Sequence, residues 1–318
     1  MKRRPLKPWH GVVFFILIMT AFFLLCVPMQ MYWGMAGLAG TELLILVMAL
    51  VFAKVMGFPL RTLFPVKMPS ILPVIGTILI WFSSYLLDMV FILIQYRLFP
   101  MKMEELNSGM SNMMTSIPFL LSVFLIAVMP AVCEEAVHRG VIIHTLYPIR
   151  RKWLVVVIMG IYFGLFHTDP LRFLPTAVMG AALSYIMLET ENMVYPSLFH
   201  FVNNFFPILM QYLLLWGTSS NPMMEDAQQI GEELLDQSGL QVPIATIGIY
   251  MIFAAAAPFG LYLGNYLLHH QKGKTRNFLP QAKKWATVCK IALPSILLLG
   301  FGMMLTVLGV ITELFRFR

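Results

Sequence analysis

The chain has 318 residues, of which 59% are hydrophobic and only 12% charged, with a formal net charge of +7. Soluble domains carry about a quarter charged residues, so a soluble globular fold is excluded. The positive balance suits basic loops at an anionic membrane surface rather than nucleic-acid binding. Cys26, Cys133 and Cys289 are scattered along apolar stretches, which excludes a disulfide framework or a zinc knuckle and leaves them as packing residues.

In chain order, the basic start MKRRPLKPWH precedes an apolar run, but VPMQMYW follows without a small-x-small cleavage pattern. That predicts a retained first helix rather than a removed signal. Apolar stretches predict nine helices, at about 11–28, 35–56, 70–95, 117–147, 152–167, 171–188, 194–216, 243–269 and 286–312. Their lengths suit a hydrocarbon core of roughly 30 Å, though 152–167 and 171–188 are short. Starting inside, alternate loops hold Lys2, Arg3, Arg4 and Lys7, then Lys54, Arg61 and Lys67, then Arg150, Arg151 and Lys152, then Lys272, Lys274, Arg276, Lys283 and Lys284. The other side holds Arg97, Lys102, Arg172, Arg316 and Arg318. This asymmetry predicts the N-terminus in the cytoplasm and the C-terminus outside. The acidic stretch 221–239 then faces outward as a solvated loop, and KKWATVCK reads as a membrane-surface anchor. The expected fold class is all-α, a polytopic helical membrane protein of about nine transmembrane helices. N-terminal helices occupy 1–110, a core of four central helices 115–216, and the acidic loop with two further helices 217–318.

The central block holds the informative residues. Residues 126–143 read IAVMPAVCEEAVHRGVII. Charges at helix centres cost about 2.5–3.5 kcal/mol each on insertion scales, so they must be paired or used. Glu135 and Arg139 lie four apart with the acid first, the favourable order for a pair. Glu134 lies about 100° round the helix and is left without a local cation. His138 is four residues after Glu134 and could share its face. A structural ion pair, a proton relay and a catalytic acid all remain open on this helix alone.

Two further stretches narrow the reading. GIYFGLFHTDP sets Phe163 and His167 four apart, and YPSLFHFVNNFF does the same for His200 and Asn204. Three nearby helices thus each offer polar groups at i,i+4 spacing within apolar sequence, a pattern that would converge on one pocket. Pro130 frees the carbonyl of Ile126 and Pro207 that of Asn203. In lipid such groups need other partners or a water-lined cavity.

EEAVHR, FGLFH and HFVNN match, in order, the EExxxR, FxxxH and HxxxN motifs of the CAAX protease and bacteriocin-processing family of intramembrane peptidases. The chain resembles that family, which includes the type II CAAX prenyl endopeptidase, specifically over about 130–205. The resemblance implies that Glu134 activates a water, that His167 helps to hold it, and that His200 and Asn204 hold the oxyanion. Glu135 and Arg139 match the motif acid and arginine, and their spacing gives them an orienting role. His138 falls at a variable position. Two mechanisms remain open. In one, Glu134, His167 and His200 bind zinc that lowers the pKa of its water. In the other, Glu134 and His167 activate water without metal.

Counting along ideal helices puts Glu134 and His167 roughly 20 Å from the cytoplasmic ends and His200 roughly 10 Å. That depth suits a membrane-associated or lipidated peptide or protein as substrate, with the lipid bilayer as the other partner and no nucleic acid. The expected location is a membrane, the plasma membrane of a bacterium. The competing readings are a non-catalytic relative acting as an immunity or scaffold protein, and a transporter. The latter would more typically show repeated halves, which the sequence lacks.

Overall fold

The computed structural model describes residues 6–221, 223, 226, 230, 241–270 and 277–316. Lys2, Arg3, Arg4, Lys272, Lys274, Arg276, Arg318 and most of the expected acidic loop at 221–239 lie outside the described residues. Among those described, all regular structure is helical. In order the helices are α1 (Pro8–Val55), α2 (Leu60–Leu63), α3 (Ile71–Leu98), α4 (Pro100–Thr115), α5 (Phe119–Leu146), α6 (Lys152–Phe166), α7 (Pro170–Thr190), α8 (Val194–Ser220), α9 (Ile244–Leu268) and α10 (Lys284–Arg316). Seven of them are long and apolar enough to cross a membrane, and α6 is apolar but shorter. The chain is therefore a polytopic all-α membrane protein.

The expected number of spans was nine; α1 joins two of the expected stretches across a reversal, and α6 is the short one. Helix α1 is one hydrogen-bonded run, but it reverses at Gly34, where φ is +52° and ψ is −122°. Gln30 Nε2 donates to Thr41 Oγ1 at 3.0 Å. Eleven residues of straight helix would hold those two roughly 16 Å apart, so the bond requires a fold-back. The stretches 11–28 and 35–56 are thus two helices that meet at the reversal at Gly34, as the sequence predicts. Helix α6 has 15 residues, short for a hydrocarbon core.

The chain forms two compact units, Met1–Thr77 with Leu120–Phe205 and Ile78–Phe119 with Phe206–Arg318. In the first, α1, α5, α6 and α7 bury a core that includes Phe14, Ile18, Ile45, Val137, Val141, Ile142, Met159, Phe166 and Met187. Helices α6 and α7 form a tight hairpin. Thr168 turns the chain with φ +57°, Asp169 caps α7 by accepting from Leu171 N–H at 2.8 Å, and Pro170 takes the first helical position. An Asp–Pro step suits both roles. In the second unit, Trp81, Tyr85 and Phe206 pack edge to face, and Tyr212 OH donates to Ile117 O. Helix α10 exposes Ile296, Leu297, Met303 and Val307, the apolar outside that a lipid-facing helix needs.

Cys26 and Cys133 are buried and free, whereas Cys289 is exposed. The packing expectation therefore fails for Cys289, because the early part of α10 turns that position outward.

The reversal at Gly34 uses a backbone conformation that side chains disfavour. Gly34→Ala is expected to destabilise the protein by about 1–3 kcal/mol, seen as a lower apparent melting temperature in detergent. Gly109→Ala, in α4 with open space around it, serves as the control and is expected to be neutral or stabilising by up to about 1 kcal/mol.

Candidate active site

The site grows out of the irregularity of α5. Its α-helical middle, Met129–Glu135, is bracketed by π-helical segments at Val123–Val128 and Ala136–Ile142. Such segments are frequent at functional positions because they re-aim side chains. Pro130 cannot donate to the carbonyl of Ile126. Asn204 Nδ2, from α8, donates to that carbonyl at 3.0 Å. The asparagine of the third motif thus satisfies the group that the proline frees.

Glu135 is fully buried and central. Its Oε1 accepts from Arg139 Nη1 at 3.0 Å and from His200 Nδ1 at 2.9 Å. Arg139, also fully buried, donates through Nη2 to Gly180 O on α7 at 2.8 Å. Its guanidinium lies 4.7 Å from the centre of the Phe163 ring. Gly180 is required at that contact, since a Cβ there would fall 2.4 Å from Phe163 Cβ. One carboxylate and one guanidinium therefore tie α5, α6, α7 and α8 together.

The bond to Glu135 places a proton on His200 Nδ1 and turns Nε2 toward Glu134. His200 Nε2 lies 4.0 Å from Glu134 Oε2. A water about 2.8 Å from both atoms would see them at nearly a right angle. Glu134 keeps 8% exposure, while Glu135, His138 and Arg139 keep none. Within this cluster, Glu134 is the acid with access. Its Oε2 is buried without a hydrogen-bond partner among the described residues.

His167 closes α6. Its Nδ1 donates to Phe163 O at 2.9 Å, which leaves Nε2 as an acceptor. The Phe163 ring is a hub, with ring-centre distances of 4.9 Å to His167, 5.7 Å to His200 and 5.0 Å to His138. His138, expected on the face of Glu134, does not bond the Glu134 carboxylate. Its Nδ1 donates to the backbone carbonyl of Glu134 at 2.9 Å, and its ring packs on Phe163 and Phe166. The depth difference between Glu134 and His200 vanishes in the folded chain. Counting along ideal straight helices ignores tilt and the compressed π segments of α5.

Two charged residues were missed. Arg172, assigned from sequence to an outer loop, sits in the first turn of α7 beside His167, and its charge acts on both His167 and Glu134. The signal was its position three residues after the capping Asp169. Glu42, in the second limb of α1, is 4% exposed with Oε2 unpartnered among the described residues, and its charge also acts on Glu134. A lone acid in the apolar run GTELLIL could have flagged it by the same rule that flagged Glu134.

Zinc held by Glu134, His167 and His200 was one of the two chemistries left open. Both imidazoles keep Nε2 available. Yet among the described residues no three His, Cys, Asp or Glu side chains group closely enough to hold a metal ion.

Residues 116–206 match the model of the family described as Type II CAAX prenyl endopeptidase Rce1-like. The matched segment contains all seven motif residues discussed above. No curated protein and no solved structure matches the chain. The family match supports a peptide hydrolase of the CAAX-type intramembrane class.

The buried pair yields a direct test. Arg139→Met strands Glu135 as an uncompensated carboxylate and is expected to cost about 3–5 kcal/mol. Adding Glu135→Gln removes the stranded charge and recovers part of the loss. Unfolding of the two single variants and the double variant measures the coupling; strictly additive losses would show that the two residues act independently.

Proposed function

We propose that this protein is an intramembrane endopeptidase in which Glu134 activates the hydrolytic water. The observation that carries the reading is the approach of His200 Nε2 to Glu134 Oε2 at 4.0 Å, inside the segment that matches a peptidase family.

The chemistry follows from the groups present. A water between Glu134 and His167 gives a proton to the Glu134 carboxylate as its oxygen attacks the scissile carbonyl carbon. His167 Nε2, an acceptor, orients that water. The carbonyl oxygen becomes an oxyanion, which preorganised donors stabilise. Asn204 spends one N–H on Ile126 O and has a second for this purpose. His200 already donates through Nδ1 to Glu135, so it donates through Nε2 only as the imidazolium. The tetrahedral intermediate then collapses, the C–N bond breaks, and the proton on Glu134 passes to the departing amine. Glu135 and Arg139 are positioning residues that hold His200 in one orientation.

The substrate class is a peptide or protein already held at the membrane, including a lipidated tail, because the reacting groups lie within apolar helices.

Membranes carrying the protein, incubated with lipidated candidate peptides and read by mass spectrometry, test this. Glu134→Gln is expected to lower cleavage by about 10²–10⁴-fold, the contribution of a general base. Asn204→Ala is expected to lower it by about 10²–10³-fold, the value of an oxyanion donor. Full cleavage by Glu134→Gln would sink the reading. Cleavage is expected to survive a metal chelator, because the three donors do not group as a metal site; loss on chelation with recovery on adding zinc would reverse that point.

A further inference from the structure

Away from these residues, the first unit holds a cavity of about 740 Å³ at one end of its helices. That volume falls within the usual range for small-ligand sites. Its walls come from the segment after α1, the end of α5 and the end of α7. Arg61, Lys67, Tyr147 and Glu191 are its charged and polar lining, with Phe58 and Met187 among the apolar part.

The frame is built rather than incidental. Lys67 N–H donates to Asn192 Oδ1, and Asn192 Nδ2 donates back to Lys67 O, both at 3.0 Å. Met193 N–H donates to Pro65 O at 2.8 Å, and Tyr195 OH accepts from Ser70 N–H at 2.9 Å. These bonds stitch 65–70 to 192–195. His144 also lines the cavity, but its Nδ1 donates to Gly140 O at 2.6 Å and its ring also bonds the backbone of Thr62. It serves as wall rather than as a ligand group. Beneath the floor, Leu63 of α2 packs fully buried against Leu6 and Ala53.

The charges are divided between the two sides. Arg61 and Lys67 belong to the segment after α1. Glu191 stands at the other side, as the residue that ends α7, in the left-handed conformation with φ +48°. Glycine or asparagine usually fills that position, so a glutamate held there is an outlier that invites a functional explanation. Tyr147 caps the end of α5 nearby. Burial, and then the charge of Glu191, push its phenol up to about 12, so it remains a neutral hydroxyl that donates. The C-termini of α5 and α7 both open on this region, and helix C-termini favour cations.

A ligand that suits these walls carries an anion at one end and a hydrogen-bonding cation at the other. A simple anion would meet Glu191 and two helix C-termini. A simple cation would meet Arg61 and Lys67. A quaternary ammonium cannot donate hydrogen bonds to Glu191, and aromatic cages rather than carboxylates are its usual hosts. The cavity also sits where the apolar runs of α1, α5 and α7 end, at Val55, Leu146 and Thr190, which is headgroup depth in a bilayer.

We propose that this cavity binds a phosphoethanolamine group, its phosphate held by Arg61 and Lys67 and its ammonium by Glu191. The site is separate from the hydrolytic residues, and its occupancy does not depend on the peptidase reading.

Native mass spectrometry of the full chain in detergent, with phosphatidylethanolamine, phosphatidylglycerol and phosphatidylcholine of matched acyl chains, tests it. Phosphatidylethanolamine is expected to be retained about tenfold over each of the others, the ratio that about 1.4 kcal/mol gives. Glu191→Gln is expected to abolish that preference while leaving phosphatidylglycerol retention unchanged. Arg61→Gln combined with Lys67→Gln is expected to weaken all three. Soluble phosphoethanolamine identifies the source. Displacement of the lipid at equal concentration assigns the free compound, and displacement only in large excess assigns the lipid headgroup; both support the site. Equal retention of the three lipids, a preference that survives Glu191→Gln, or indifference to the double change at Arg61 and Lys67 would each overturn it. All three side chains are exposed, so these variants test binding rather than folding.

Discussion

A single carboxylate organises the first unit. Glu135 has no contact with solvent, and one of its oxygens holds both Arg139 and His200. Removing a charge from water is expensive, and the interaction of a buried pair repays it only with good geometry and further hydrogen bonds. Here the extra bonds come from α7, through Gly180 O, and from α8, through His200. The arrangement fixes the tautomer of His200 and the direction of its free nitrogen. Everything proposed for Glu134 depends on that direction.

The neighbouring acids are separated by environment rather than by type. Glu135 is sealed and paired through Oε1, whereas Glu134 keeps a sliver of exposure; the Oε2 of each is buried without a hydrogen-bond partner among the described residues. They are consecutive in the chain, which on a helix is about 100° of rotation. That rotation assigns one to the frame and the other to the opening. Phe163 completes the separation. Its ring stands against Arg139, His138, His167 and His200, so one apolar side chain keeps several polar groups in place. Asn204 contributes in two ways, as the partner of the carbonyl freed by Pro130 and as a further N–H donor. A kinked helix and the donor proposed for the reaction are thus met by the same amide.

Much of this was legible before folding. The i,i+4 spacing of Glu135 and Arg139 announces their ion pair, and Pro130 announces a carbonyl in need of a partner. Asp169–Pro170 marks the start of α7. What could not be read was which partner each group finds across helices. Nothing local says that Asn204 reaches Ile126 or that Arg139 reaches Gly180, because those pairs are 78 and 41 residues apart. The nearness of Arg172 to Glu134 was hidden for the same reason. Its place near Glu134 comes from the tight α6–α7 hairpin, not from its neighbours in sequence. The reversal in α1 was legible: 11–28 and 35–56 read as separate helices, and Gly34 lies between them.

By itself the sequence determined the solvent, the all-helical class and the order of the polar motifs, because hydrophobic run length and helical periodicity are local properties. Tertiary structure alone decided that His200 faces Glu134 across 4.0 Å, that Glu42 and Arg172 join the electrostatics of that acid, and that Arg61, Lys67 and Glu191 line one cavity. Those are distances between segments remote in the chain. Helix tilt, π segments and close packing at small residues set them, and no local pattern encodes them.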